Sequence, residues 1–218
     1  MAIEYEFKYK ADENTLAHVS LAFPEKAETI QMETVYFDTP SGAYAQRHYT
    51  LRRRKENDKY ICTLKTPAAD AKQAWQSEVS KKYSHHLAPV HMTGSTRNEW
   101  EVECEHIEDA LPLLVKKGAP EEVWKLAATE GLKCICGAKF IRVARIVNLR
   151  DSVVEMDMDY GYLLGGDKSE PFYEIEFEVK SGDKVEAGTF IYKTACQYDL
   201  EIETRSKFAR ALALYKGE

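Results

Sequence analysis

Glu4, Glu6 and Lys8 stand at spacing two in the opening run Glu4-Tyr5-Glu6-Phe7-Lys8. On a β-strand, alternate side chains share a face, so these three line one side and Ile3, Tyr5, Phe7 and Tyr9 the other. Carboxylates beside an amine on rigid backbone can hold a divalent cation next to an anion. The pattern recurs along the chain. Arg52 and Arg54 alternate, as do Thr63 and Lys65, Gln76 and Glu78, and Glu174, Glu176 and Glu178. A second cationic contribution is expected from Arg142 or Arg145, and a second acidic one from Asp157 or Asp159. Guanidinium and ammonium groups in numbers suit the oxygens of a polyphosphate. Clustered carboxylates suit Mg²⁺ or Mn²⁺.

The elements that must carry these residues follow from periodicity. Strands are expected at Ile3–Lys10, Glu33–Phe37, Tyr49–Lys55, Tyr60–Lys65, Ala74–Lys81, Phe140–Leu149, Ser152–Tyr160 and Phe172–Lys180. Turn chemistry separates several of them, at Asp38-Thr39-Pro40-Ser41-Gly42, Glu56-Asn57-Asp58-Lys59 and Arg150-Asp151. Helices are expected at Asp12–Phe23, Glu108–Lys117, Glu121–Glu130 and Asp183–Tyr198, with a last one capped by Ser206. The stretch from His85 to Asn98 shows no clear periodicity and reads as a loop or insertion. Glu99, Glu101, Glu103 and Glu105 alternate without a basic partner and read as a solvated strand or helix entry. Trp75, Trp100 and Trp124 read as core residues.

The chain has 218 residues, 30% of them charged, and a formal net charge of -6. That balance argues against a general nucleic-acid binder but permits a local cationic pocket. No run of eighteen apolar residues occurs, which argues against a membrane helix. The N-terminus has no apolar signal region, so a cytoplasmic location is expected. The five cysteines then read as free thiols, and Cys134-Ile135-Cys136 lacks the spacing of a zinc site. His85, His86 and His91 read as loop residues.

Each strand thus has a charged face and an apolar face. The helices have apolar faces too and would cover the apolar side of the strands. An α+β fold follows, in which about eight antiparallel strands close into a β-barrel with helices packed outside and a charged lumen. Such a lumen cannot pack dry, since unpaired buried charges cost several kcal/mol each. It calls for water, metal and a charged ligand.

These residues resemble the CYTH family, the triphosphate tunnel metalloenzymes. The likeness rests on Glu4-x-Glu6-x-Lys8, Tyr36-Phe37-Asp38-Thr39-Pro40, Leu51-Arg52-Arg53-Arg54, Thr63-Leu64-Lys65, Glu174-Ile175-Glu176 and Ser206-Lys207-Phe208, in order along the chain. Glu174–Asp183 is most similar to bacterial inorganic triphosphatases. Some of those continue into a helical accessory domain, whereas residues 1–218 are expected to form a single tunnel domain. The resemblance implies metal held by Glu4, Glu6, Asp157, Asp159, Glu174 and Glu176. It implies triphosphate held by Lys8, Arg52, Arg54, Lys65, Arg142, Arg145 and Lys207, with Lys8, Lys65 and Glu78 as candidate catalytic groups. Arg53 alternates outward, and Tyr36 is expected to pack. Two departures stand out. Many members carry an Arg before the glutamate of the fifth strand, where Gln76-Ser77-Glu78 is found. Arg142 and Arg145 are three apart, so a regular strand turns only one of them inward.

The expected activity is metal-dependent hydrolysis of a triphosphate, inorganic triphosphate first, then nucleoside or thiamine triphosphates. The alternatives are cyclisation of ATP to cyclic AMP, as in class IV-type adenylate cyclases, and polyphosphate or nucleotide binding without turnover. The expected partner is a small triphosphate, not nucleic acid or a membrane, and a homodimer is left open.

Overall fold

The computed structural model describes residues 2–68 and 94–218, apart from the side chains of 2–4 and 94–96. Long antiparallel strands dominate. They are β1 (Ala2–Lys10), β2 (Ala27–Asp38), β3 (Thr50–Glu56), β4 (Lys59–Pro67), β5 (Gly94–Glu103), β6 (Lys133–Asn148), β7 (Ser152–Gly165), β8 (Lys168–Gly182) and the two-residue β9 (Glu201–Ile202). The helices are α1 (Glu13–Ala22), α2 (Ala43–Gln46), α3 (Ile107–Lys116), α4 (Glu121–Glu130), α5 (Lys184–Gln197) and α6 (Lys207–Lys216). Their starts follow local chemistry: Asp12, Asp183 and Ser206 accept amide hydrogen bonds at the N-termini of α1, α5 and α6.

The sheet runs β5-β4-β3-β2-β6-β7-β8-β1-β9. β1 also pairs with β5, from Ala2 opposite Glu99 to Phe7 opposite Gly94, so the ladder of β1 to β8 returns on itself. β8 and β9 complete the pairing of β1 toward its C-terminal end.

Apolar side chains on the outer face gather under helices in two clusters. Phe7, Tyr9, Met156, Ile175 and Phe177 pack with Leu16 and Val19 of α1 and Ile191 of α5. Leu51, Cys62, Leu64, Trp100 and Val102 pack with α3 and α4. At one end the inward side chains are apolar instead. Met32, Tyr36, Ala138, Phe140, Leu163 and Phe172 pack against Ala211 of α6, with Phe208 and Leu212 alongside. Contact there is backbone-close: a Cβ on Gly165 would sit 2.4 Å from the Tyr215 amide nitrogen.

The expected segment Ala74–Lys81 lies outside the described residues. The strand that pairs with β4 is Gly94–Glu103, which overlaps the stretch read as a loop. Trp100 is buried, as expected, but Trp124 is 48% exposed on α4.

Candidate active site

Residues directly opposite each other in antiparallel strands share a face, so the register carries the charged side around the sheet. Lys8 stands opposite Glu176, and Glu6 opposite Glu178. Asp157 is opposite Glu176, and Asp159 opposite Glu174. Arg142 faces Asp159. Arg52 faces Thr63, and Lys65 faces Glu99. Of these, Glu6, Lys8, Arg52, Lys65, Glu99, Arg142, Asp157, Glu176 and Glu178 line a cavity of about 430 Å³.

The lining carries both signs on both sides, with a bias. Cations lead on β3, β4 and β5, where Arg52, Arg54, Lys65 and Arg97 stand with Glu56, Glu99 and Glu101, and carboxylates lead on β1, β7 and β8, where Glu6, Glu155, Asp157, Glu176 and Glu178 stand with Lys8 and Lys180. On the cationic wall, Lys65 lies 3.3 Å and Arg52 3.8 Å from Glu99. Arg54 pairs with Glu56 and lies near Arg52. Burial first, then the Arg52 charge, lowers the Arg54 pKa. Its Nε has no hydrogen-bond partner among the described residues.

On the acidic wall, Lys8 lies 3.0 Å from Glu6 and 3.5 Å from Glu176. Burial opposes the charge on Lys8, but Glu6, Glu176 and Glu174 outweigh it, and the Lys8 pKa is raised. Burial likewise opposes ionisation of Glu6, yet Lys8 leads the groups that bring its pKa below the usual carboxylate value. Arg142 forks onto Asp159 at 2.8 and 2.7 Å, reaches Glu176 at 2.7 Å and pairs with Asp157. Burial pushes the Asp157 carboxyl up to about 8, against the pull of Arg142. Its Oδ1 is buried without a hydrogen-bond partner among the described residues.

The expected residues are therefore brought together, with exceptions. Arg145 turns to the outer side of β6 and donates to Ser20 of α1 at 2.8 Å, because three residues from Arg142 is the opposite parity of a regular strand. Asp159 and Glu174 are fully buried and lie behind the cavity. Glu4 has its backbone in β1 opposite Arg97, but its side chain lies outside the described set, as does the whole of Glu78. Tyr36 is buried and packs on Phe208 while still lining the cavity.

Several lining residues were not singled out from sequence as site residues: Arg97, Glu99, Glu101, Glu155 and Lys180. Glu99 is not solvated, since it pairs with Lys65 and Arg52, whereas Glu101 accepts from Thr63 at 2.9 Å while remaining exposed, like Glu103 and Glu105. β5 carries an Arg two residues before a glutamate, as Arg97 and Glu99. The signal was the alternation Arg97-x-Glu99-x-Glu101, which begins inside the stretch read as having no period.

The donors on the acidic wall are all oxygens, and Asp157 offers one with no partner. That set fits a hard divalent cation of the Mg²⁺ or Mn²⁺ type. Among the described residues no helix is long and apolar enough to cross a membrane.

The CYTH domain family matches residues 2–212, and the chain belongs to that family. Inorganic triphosphatase of Haemophilus influenzae is 25% identical over 187 residues, covering 86% of this chain and 47% of the relative. YjbK of Bacillus subtilis, whose own designation as a triphosphatase is provisional, is 43% identical over 68 residues, covering 30% of this chain and 35% of its own length. The chain thus spans less than half the length of either curated relative. HpAC1 from Hippeastrum, an adenylyl cyclase candidate described as having a dominant triphosphatase activity, shares the fold with a TM-score of 0.62 at 19% identity, covering 98% of this chain and 95% of that one.

Proposed function

We propose that this protein hydrolyses the terminal phosphoanhydride of a triphosphate in a metal-dependent reaction, with inorganic triphosphate as the first substrate and nucleoside or thiamine triphosphates after it. One observation carries the reading: Arg52, Arg54 and Lys65 line the same cavity as Glu6, Glu176 and Glu178. A polyphosphate alone needs only the cations. A polyphosphate with its counter-ion needs both sets.

Glu6, Asp157, Glu176 and Glu178 would hold the divalent cation, together with Glu4 at the start of β1. When bound, the cation offsets charge on the phosphate oxygens and favours an oxygen nucleophile. Arg52, Arg54 and Lys65 bind the remaining phosphate oxygens. Charge shifts within the phosphoryl group during transfer, and fixed cations stabilise it without reorganising. Lys8, held between Glu6 and Glu176, stays protonated and sits where the two walls meet. A carboxylate of the acidic wall orients the attacking water.

The test is phosphate release from tripolyphosphate, ATP and thiamine triphosphate with Mg²⁺ or Mn²⁺, with cyclic AMP followed in parallel. Phosphate release supports the hydrolase. Cyclic AMP from ATP without phosphate release makes it a cyclase, and binding without any product makes it a binding module.

A further inference from the structure

Arg54 faces the cavity with an anion already on it. Its guanidinium pairs with Glu56, two residues further along β3, where alternate side chains share a face. Both side chains line the cavity. The guanidinium needs such a partner. Its side chain is only 15% exposed, it lies in the field of the like charges of Arg52 and Arg142, and its Nε has no hydrogen-bond partner among the described residues.

Glu56 is held more loosely. Its side chain is 27% exposed, and among the described residues Arg54 is its one ion-pair partner. Glu99 and Glu176 are more buried, and each is gripped by at least two cations. The backbone beside Glu56 is fixed. Asn57, in the left-handed region at φ 52°, donates its amide to the Gln31 carbonyl and accepts from the Gln31 amide through Oδ1, both at 3.0 Å. The side chain of Glu56 is therefore the part that can turn. Exposed Lys59 stands directly opposite on β4, so a carboxylate leaving Arg54 finds another cation on its own face. Carboxylate and phosphate oxygens match the same guanidinium fork, so the two anions compete for it.

We propose that Glu56 is a resident anion on Arg54: its carboxylate holds the guanidinium edge that a phosphate would take, and a polyphosphate binds Arg54 only by displacing it. Glu56 thus sets the affinity of the cavity for polyphosphate without touching the ligand. The inference rests on the proposed function, in which Arg54 takes phosphate.

The experiment is titration calorimetry of the full chain with the diimido analogue of tripolyphosphate, whose bridging nitrogens resist hydrolysis, in the presence of Mg²⁺. Glu56→Gln should tighten binding by about 3- to 10-fold, the occupancy of a partly exposed pair. Glu56→Asp keeps the charge but shortens its reach to Arg54, and it should give part of that gain. In an Arg54→Ala background, Glu56→Gln should change nothing. Unchanged or weaker binding by Glu56→Gln overturns the proposal. So does a gain that survives in Arg54→Ala, since it reports a lost negative charge in the cavity and not the release of Arg54. Should Glu56→Gln fail to fold by circular dichroism, Glu56→Asp decides by the same criteria. A gain in a protein that releases no phosphate from tripolyphosphate would retire the triphosphatase reading and leave this one standing. Phosphate release without the gain would do the reverse, and a wild-type chain that binds no analogue overturns both.

Discussion

Asp157→Asn tests the electrostatics of the acidic wall. Asp157 is 5% exposed, one of its oxygens has no hydrogen-bond partner among the described residues, and burial holds its pKa up to about 8. In the unfolded chain the same carboxyl loses its proton near pH 4. Between those values the folded protein keeps a proton that the unfolded chain has released. Raising the pH through this window therefore favours unfolding. Each pH unit is worth about 1.4 kcal/mol for one group, so going from pH 5 to pH 7 should cost roughly 3 kcal/mol. In a chain of this size that lowers Tm by roughly 5–10 °C. Glu174, raised by burial to about 7, adds a slope of the same sign. That contribution is common to both proteins, so the difference between them isolates Asp157. The assay is Tm by calorimetry from pH 5 to pH 8 with a chelator present, since bound metal would lower carboxylate pKa values. Asp157→Asn should flatten the fall above pH 5. Parallel curves for the two proteins, or a wild-type Tm that rises through the window, would refute the reasoning.

Three further outcomes are expected. Glu6→Gln keeps the shape of a side chain that pairs with Lys8 and that the proposed function assigns to metal, so phosphate release should fall at least about 100-fold while circular dichroism is unchanged. Arg54→Ala removes a cation worth about 1.5–3 kcal/mol per charge-assisted hydrogen bond, and kcat/KM for tripolyphosphate should fall by roughly 10- to 150-fold. Gly165→Ala drives a Cβ to 2.4 Å from the Tyr215 nitrogen and 2.8 Å from the Ala211 oxygen, both backbone atoms that yield only if α6 shifts. A loss of about 1–3 kcal/mol in urea titration is expected, and an unchanged midpoint would show that α6 moves freely.

The inward face of β1 and β8 was legible because alternation is a local property: Glu6 and Lys8, like Glu174 and Glu176, carry their facing direction in their own spacing. Arg142 and Arg145 were not separable that way. Parity excludes one of them, but only the partner across the ladder, Asp159, says which. Glu99 was misread for a related reason. A row of glutamates looks solvated until β4 brings Lys65 against its first member. The place of α6 was the least visible. Phe208 and Leu212 give an ordinary amphipathic stripe, and nothing local tells that it meets the inner face of the sheet and not the outer one.

The uneven charge of the lining also bears on how the proposed ligand would arrive and sit. A polyanion nearing a chain of net charge -6 is screened from it at long range and feels the repulsion within about a Debye length, ~10 Å at 0.1 M salt. A triphosphate already carrying its counter-ion feels less of that repulsion and encounters the protein faster. On the proposed function, such a pair would meet a lining whose cations lead on β3 and β4 and whose carboxylates lead on β1 and β8, so the phosphate end and the metal end would each have a preferred side.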